Sequence, residues 1–214
     1  MAWTTLPGMS RRAVAGIAVL LLAVAGLAGG CGGGGAKSSS SSSPSGGGAQ
    51  AGALSAEATS AATGDIPDNQ VFLVFRDRAA GYSVKYPEGW TQRGRAGDVT
   101  FQDKNNVVHV VVGTGGAPTV RGVQAALTTR QGSAQSLRAG PASVVALKGA
   151  GQAVKVTYTT ESAPNPVTGR RVQLTVDRYV VARGGRQAIL DLGTPRGVDN
   201  VDAYRLIAQS FRWS

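Results

Sequence analysis

The chain has 214 residues, with 22 Lys and Arg against 12 Asp and Glu, so it is basic, at a formal net charge of +10. A single cysteine excludes an internal disulfide. One cysteine and one histidine, far apart, also fall short of the roughly four Cys and His ligands of a structural zinc site.

In chain order, Arg11 and Arg12 precede an apolar run from Ala13 to Leu27, and the small residues Ala28, Gly29 and Gly30 lead to Cys31. A positive start, an apolar stretch and small residues form the layout of a secretory signal peptide, here residues 1–30. The run is diluted with Ala and Gly and is shorter than the ~20 strongly apolar residues that a spanning helix needs. Arg11-Arg12 is read as a positive flank; twin-arginine export is the alternative, and no cofactor motif calls for export of a prefolded protein.

The residues before Cys31 resemble the lipobox of bacterial lipoproteins, with Ala28 where that motif usually has Leu, and Leu27 one place earlier. The resemblance implies that the Cys31 thiol carries a diacylglyceryl group (palmitate-type chains) and that cleavage leaves Cys31 as the mature N-terminus. Two acyl chains suffice for stable anchoring. Residues 31–65 then form a tether of a Gly run, Ser38 to Ser43, Pro44 and a Gly/Ala/Ser/Thr stretch. So few large side chains cannot offset the entropy of ordering, so the tether is expected to be disordered. As a flexible coil it spans on the order of 30 Å.

The remaining residues, 66–214, carry the folded domain, enough chain for one compact core. Val71 to Phe75 is a β-rich run, and Ala79-Ala80-Gly81 turns the chain. Tyr82, Val84 and Tyr86 alternate with Ser83 and Lys85, the period of a half-buried strand. Asp98 to Asp103 reads as a short strand and Val107 to Val112 as a strong one, with Asn105-Asn106 between them, which gives an antiparallel meander. Val120, Val123, Ala126 and Leu127 fall at helical spacing between Pro118 and Gly132. Strands are expected at Pro141 to Leu147, Gln152 to Thr160 and Arg171 to Val181. Gly184-Gly185 reads as a hairpin turn into Gln187 to Leu192. Val201, Tyr204, Ile207, Ala208 and Phe211 mark a C-terminal amphipathic helix, with Asp199 and Asp202 in its first turn.

Strands grouped between two helices indicate an α+β domain with a mainly antiparallel sheet. The run Gly81-Tyr82-Ser83-Val84-Lys85-Tyr86-Pro87-Glu88-Gly89-Trp90, with Phe101 on the next strand, resembles the opening hairpin of the PsbP-like superfamily, which includes the mycobacterial LpqN lipoprotein family. The end resembles it too: an Arg-flanked hairpin strand, Thr194-Pro195, and a helix closing in Ile207 to Phe211. This likeness, over Val71 to Trp213, implies an α/β/α sandwich with helices on both faces of the sheet, and an accessory, assembly or binding role. The Arg-rich, Gly/Ala/Val-rich composition is actinobacteria-like.

Few residues point to chemistry. His109 is the only histidine and would have to serve any Ser-His-Asp arrangement; a histidine on a sheet surface is the simpler reading. Gly113-Thr114-Gly115-Gly116 lacks the third spaced glycine of a dinucleotide loop and the Gly-Lys-Ser/Thr of a phosphate loop, so it reads as a connector. Tyr82, Tyr86 and Trp90 read as core, while Trp213 either caps a sheet edge or stays partly exposed. From Ile66 onward nineteen Lys and Arg face ten Asp and Glu. Most are dispersed, but Arg170, Arg171, Arg183 and Arg186 flank one hairpin strand and are the candidate patch for an anionic partner.

The reading is a non-enzymatic accessory or binding lipoprotein on the extracytoplasmic face of the cell membrane. No metal or cofactor and no nucleic acid is expected. The chain is expected to be monomeric, and its partner an envelope protein, a lipid or an anionic wall polymer. Alternatives are a carrier of a small ligand or lipid, which needs an apolar cavity between sheet and helix, and an envelope hydrolase, which needs His109 in a pocket beside a carboxylate.

Overall fold

Alternating strand sequences bury one set of side chains per face, and here two sets of partners take them up. A computed structural model describes residues 64–133, 136–165 and 167–214. The signal peptide, Cys31 and the tether up to residue 63 lie outside the described residues.

The strands are β1 (Phe72–Asp77), β2 (Tyr82–Pro87), β3 (Thr91–Arg95), β4 (Asp98–Asp103) and β5 (Asn106–Thr114). Helix α1 (Val120–Ser133) follows, then β6 (Arg138–Ala139), β7 (Ser143–Leu147), β8 (Gly151–Glu161), β9 (Gln173–Arg183) and β10 (Arg186–Pro195). Helix α2 (Val201–Ser210) and β11 (Arg212–Trp213) close the chain. The main sheet has the order β3-β4-β5-β10-β9-β8-β6, with β7 also on the edge of β8, and β1-β2-β11 form a smaller sheet. Every pairing is antiparallel. The domain is thus α+β with a mainly antiparallel sheet, as expected from the sequence.

The β9–β10 hairpin turns at Gly184 and Gly185, both left-handed at φ 58° and 76°. A two-residue turn of the hand that matches strand twist requires positive φ at both central positions, which a side chain would strain. This fixes Arg183 opposite Arg186 and carries the register to Leu174 opposite Pro195.

Neighbouring residues of β8 belong to different clusters. Ala153 packs with Phe101, Val181, Leu190, the hairpin residues Tyr82 and Val84, and Tyr204, Ile207 and Ala208 of α2. Val154 and Val156 pack with Val180 and with Val123 and Leu127 of α1. Helix α1 is held mainly by this packing. Thr119 caps it, accepting the Gly122 N–H at 3.0 Å. Its Thr128 and Thr129 hydroxyls bond back to Gln124 and Ala125, and it contains Gly122, all poor helix formers. Burial of Val123 and Leu127 at roughly 1.5–3 kcal/mol each is what compensates.

At the start of α2, Asp202 lies in the first turn, but Asp199 precedes the helix, its carboxylate accepting the Val201 N–H. The N-cap is Asn200, which is buried and turned away from the helix. Its Oδ1 accepts the Ile66 N–H at 2.8 Å, and its Nδ2 donates to Thr194 Oγ1 at 2.8 Å and to the Gly64 carbonyl at 3.1 Å. The chain therefore joins the domain beside the start of α2, at the end of the sheet where β5 begins and β10 finishes.

Three strands were not read from the sequence. Strand β3 is exposed at all five positions and lacks the apolar alternation that marks a strand. It also contains Gly94 at φ 114°, where an added Cβ would sit 2.1 Å from the Asp98 carbonyl. The two-residue strands β6 and β11 exist only through pairing with β8 and β2. That pairing settles Trp213: it is buried, opposite Tyr82, edge-on to Phe211.

Candidate basic cleft

Three tight turns meet at the end of the sheet opposite Asn200. The Ala80 and Gly97 N–H groups donate to the two oxygens of Asp77 at 2.9 and 2.7 Å, and the Val112 N–H donates to the Gly97 carbonyl at 2.8 Å. Arg186 reaches in from the β9–β10 turn and donates to the Ala80 carbonyl at 2.9 Å. Asp77 is buried, with both oxygens engaged by backbone. It therefore braces the turns while its neighbours Arg76 and Arg78 face solvent.

Arg76, Arg78 and Arg95 line a cleft of 400 Å³ between the β1 and β3 ends. Arg93 and Arg95 line an adjoining groove on β3 and β4 together with Asp98 and Thr100. Asp98 is held by His109, whose Nε2 lies 2.9 Å from Oδ1. None of the four arginines has a carboxylate partner among the described residues, where Lys155 pairs with Asp177, Arg178 with Asp191 and Arg205 with Asp202, and His109 is hydrogen-bonded to Asp98. Asp65, Asp68, Asp199 and Asp202 instead gather at the other end, around Asn200. The domain is polarised: guanidinium groups with no carboxylate partner among the described residues at one end, carboxylates around residues 65–68 and the start of α2 at the other. Such a field steers anions to the arginine end.

The arginines singled out from the sequence are distributed differently. Arg170 and Arg171 precede β9, whereas Arg183 ends it and Arg186 begins β10. Eleven residues of strand separate the two pairs by roughly 35 Å, so they form no single surface. Arg171 donates to the Ser162 carbonyl at 2.8 Å, and Arg186, besides its bond to Ala80, lies 5.1 Å over the Trp213 ring. The signal overlooked in the sequence is a repeat: Arg76-Asp77-Arg78-Ala79 and Arg93-Gly94-Arg95-Ala96 each place Arg-x-Arg-Ala just before a turn. In β3 the i, i+2 spacing puts Arg93 and Arg95 on one side of the strand, whereas Arg76 lies in β1 and Arg78 in the turn that follows it.

His109 is beside a carboxylate but lines neither the cleft nor the adjoining groove. It lies on β5 opposite Thr100 of β4 and Asp191 of β10, and its side chain is 34% exposed.

A second concavity of 310 Å³ lies beneath α1 and is lined by Pro118, Val123, Ala126, Val180 and Ile189, with Arg178 among them. Gly116 and Gln187 border it, and the Gln187 side chain donates to the Gly116 carbonyl at 3.0 Å. The Arg178 Nε and Nη2 groups donate to the two oxygens of Asp191 at 2.7 and 2.6 Å. Burial disfavours the guanidinium charge, but the hydrogen bond and charge of Asp191 outweigh it and hold the Arg178 pKa above its ordinary value. The Tyr158 ring lies 5.4 Å from this guanidinium, and burial followed by the Asp191 charge pushes its hydroxyl up to about 12. Among the described residues no group of three or more His, Cys, Asp and Glu is placed to hold a metal ion. No helix among them is long and apolar enough to cross a membrane.

No protein-family profile matches the sequence, and no curated protein matches it. Among solved structures the chain is similar to the cyanobacterial PsbP (CyanoP) of Synechocystis, at 19% identity and a TM-score of 0.47, over 71% of this chain and 98% of that one. It is also similar to a protein of Bacteroides thetaiotaomicron, at 16% identity and a TM-score of 0.41; the match covers 66% of this chain and about half, 48%, of that protein.

Proposed function

We propose that this chain is a lipoprotein of the extracytoplasmic membrane face, lipidated at Cys31, that binds an anionic envelope partner through the arginine end of its domain without catalysing a reaction. In this reading residues 1–30 are the signal peptide, 31–65 the tether and 66–214 a monomeric PsbP-like α/β/α domain with its two helices over opposite faces of the sheet. The observation that carries it is the convergence of Arg76, Arg78, Arg93 and Arg95 on one end with no carboxylate partner among the described residues. Natural surfaces intersperse signs of charge; a local excess of one sign favours an oppositely charged ligand.

Two variants of equal charge change separate location from net charge. Arg78→Glu with Arg95→Glu is expected to elute from a phosphate-bearing matrix at markedly lower salt than Arg170→Glu with Arg171→Glu. Equal elution of the two would reduce the basic character to general solubility and sink the reading. In the same cells Cys31→Ala is expected to move the protein out of the membrane fraction. Retention there would replace the lipid anchor with a spanning segment.

The groove beneath α1 favours a second reading, a carrier of a small ligand with an apolar part, because Val123, Ala126, Val180 and Ile189 border an open volume at the lower end of the range of small-ligand sites. Ile189→Trp fills that groove. If the carrier reading holds, this variant loses binding of a fluorescent apolar dye and keeps the salt at which it leaves the phosphate matrix.

A further inference from the structure

Resting on the reading of the arginine end as an anion site, we propose that its partner is a linear polyanion, an extended chain bearing phosphate or carboxylate groups. That chain would lie along a track of three joined grooves.

Shared side chains link the grooves. Arg76 lines both the central cleft and a groove of 400 Å³ between the β1–β2 hairpin and α2, where Lys85 and Arg212 also sit. Arg95 lines both the central cleft and the groove on β3 and β4 that holds Arg93. The order along the track is therefore Lys85 and Arg212, then Arg76 and Arg78, then Arg95 and Arg93. None of these six cations has an ion-pair partner among the described residues.

Two carboxylates border the track: Asp77 is buried with its oxygens on two backbone N–H groups, and Asp98, about half exposed, meets His109 at Oδ1. An approaching polyanion thus meets six cations against these two carboxylates. Arginine presents a planar fork that grips phosphate or carboxylate through two parallel hydrogen bonds. The fork requires no particular sequence of groups, only anions at intervals.

Shape separates a chain from a bilayer. A bilayer surface rewards a convex or flat cationic face with apolar side chains projecting at its centre. Here the cations line shallow depressions, and the central one lies between the ends of two edge strands, β1 and β3. An extended chain can follow shallow grooves round the β3 edge, from the hairpin side to the face that carries Arg93 and Thr100, whereas a planar headgroup layer meets one side of that edge. Val74 and Leu206 wall the first groove, so the chain meets carbon beside charge at that end.

The test uses the full chain and three probes: pyrophosphate, inorganic polyphosphate of graded length, and vesicles of phosphatidylglycerol mixed with phosphatidylcholine. Affinity for polyphosphate is expected to rise about tenfold or more from pyrophosphate to long chains, and to fall steeply with added salt. Arg78→Ala with Arg93→Ala, which removes one cation from each of two grooves, is expected to abolish most of that length dependence. Both side chains are exposed, so the far-UV circular dichroism is expected to stay unchanged. Length-independent binding, or length dependence untouched by this variant, would overturn the track. Salt-sensitive binding to vesicles in preference to polyphosphate would overturn the polymer and leave the anion site standing. Binding to none of the three would overturn both.

Discussion

Replacing Arg178 with Ala is expected to destabilise the domain by about 3–5 kcal/mol, measured as a lowered midpoint of urea unfolding. The guanidinium and the Asp191 carboxylate form a two-pronged pair whose side chains are only 8% and 15% exposed. Removing the cation leaves Asp191 desolvated and unpaired beneath α1, and also leaves a void beside Val180 and Ile189. An intact buried pair is a different matter, because its mutual attraction does little more than offset the desolvation of two ions. Arg178→Met combined with Asp191→Leu is therefore expected to recover most of the stability lost in the single variant. A double variant as unstable as the single one would show that shape or the Tyr158 contact, and not charge, makes Arg178 indispensable.

Phe101→Ala is expected to cost about 3–5 kcal/mol, the usual range for emptying a buried aromatic site. In a domain of this size that lowers the melting temperature by roughly 6–20 °C. Phe101 is fully buried on β4, stacked on Tyr86 at 4.2 Å and edge-on to Phe75 at 5.3 Å. It is the point at which the β1–β2 hairpin sits on the main sheet. Phe75 is the immediate neighbour of Arg76, so loosening this contact also loosens one wall of the arginine cleft. Phe101→Leu refills most of the space and is expected to keep both stability and anion binding. A small loss for Phe101→Ala would mean that the hairpin is seated mainly by Tyr82 and Phe211, which stack at 5.6 Å.

The long elements were legible because their patterns are local. Alternation in Tyr82 to Tyr86, the valine run at Val107 to Val112 and the Gly184-Gly185 turn each encode strand and hairpin within a few residues. Helix α2 declared itself through Tyr204, Ile207 and Ala208, which are buried. The expected strand at Arg171 to Val181 is observed two residues later, at Gln173–Arg183. The Val172 N–H is taken up by the Ser162 hydroxyl and the Arg171 side chain by the Ser162 carbonyl, so those two residues close the preceding loop.

The candidate site was far less legible. Arg170, Arg171, Arg183 and Arg186 are close in sequence, but an extended strand separates its two ends by its full length. Arg76 and Arg78 stand at the end of β1 and Arg93 and Arg95 on β3 of the other sheet, and the turns braced by Asp77 set the two strand ends side by side. Burial of Asp77 is invisible in the sequence, where it reads as the natural counter-charge of its two arginine neighbours.

By itself, the sequence determined the α+β class, the antiparallel strands and the excess of positive charge, because composition and period-2 or period-3.6 patterning are properties of the chain. Tertiary structure alone decided which of those charges are neutralised. An ion pair or a backbone-bound carboxylate depends on where strands meet, and folding sets carboxylates against Lys155, Arg178 and Arg205 while Arg76, Arg93 and Arg95 of β1 and β3 have no carboxylate partner among the described residues.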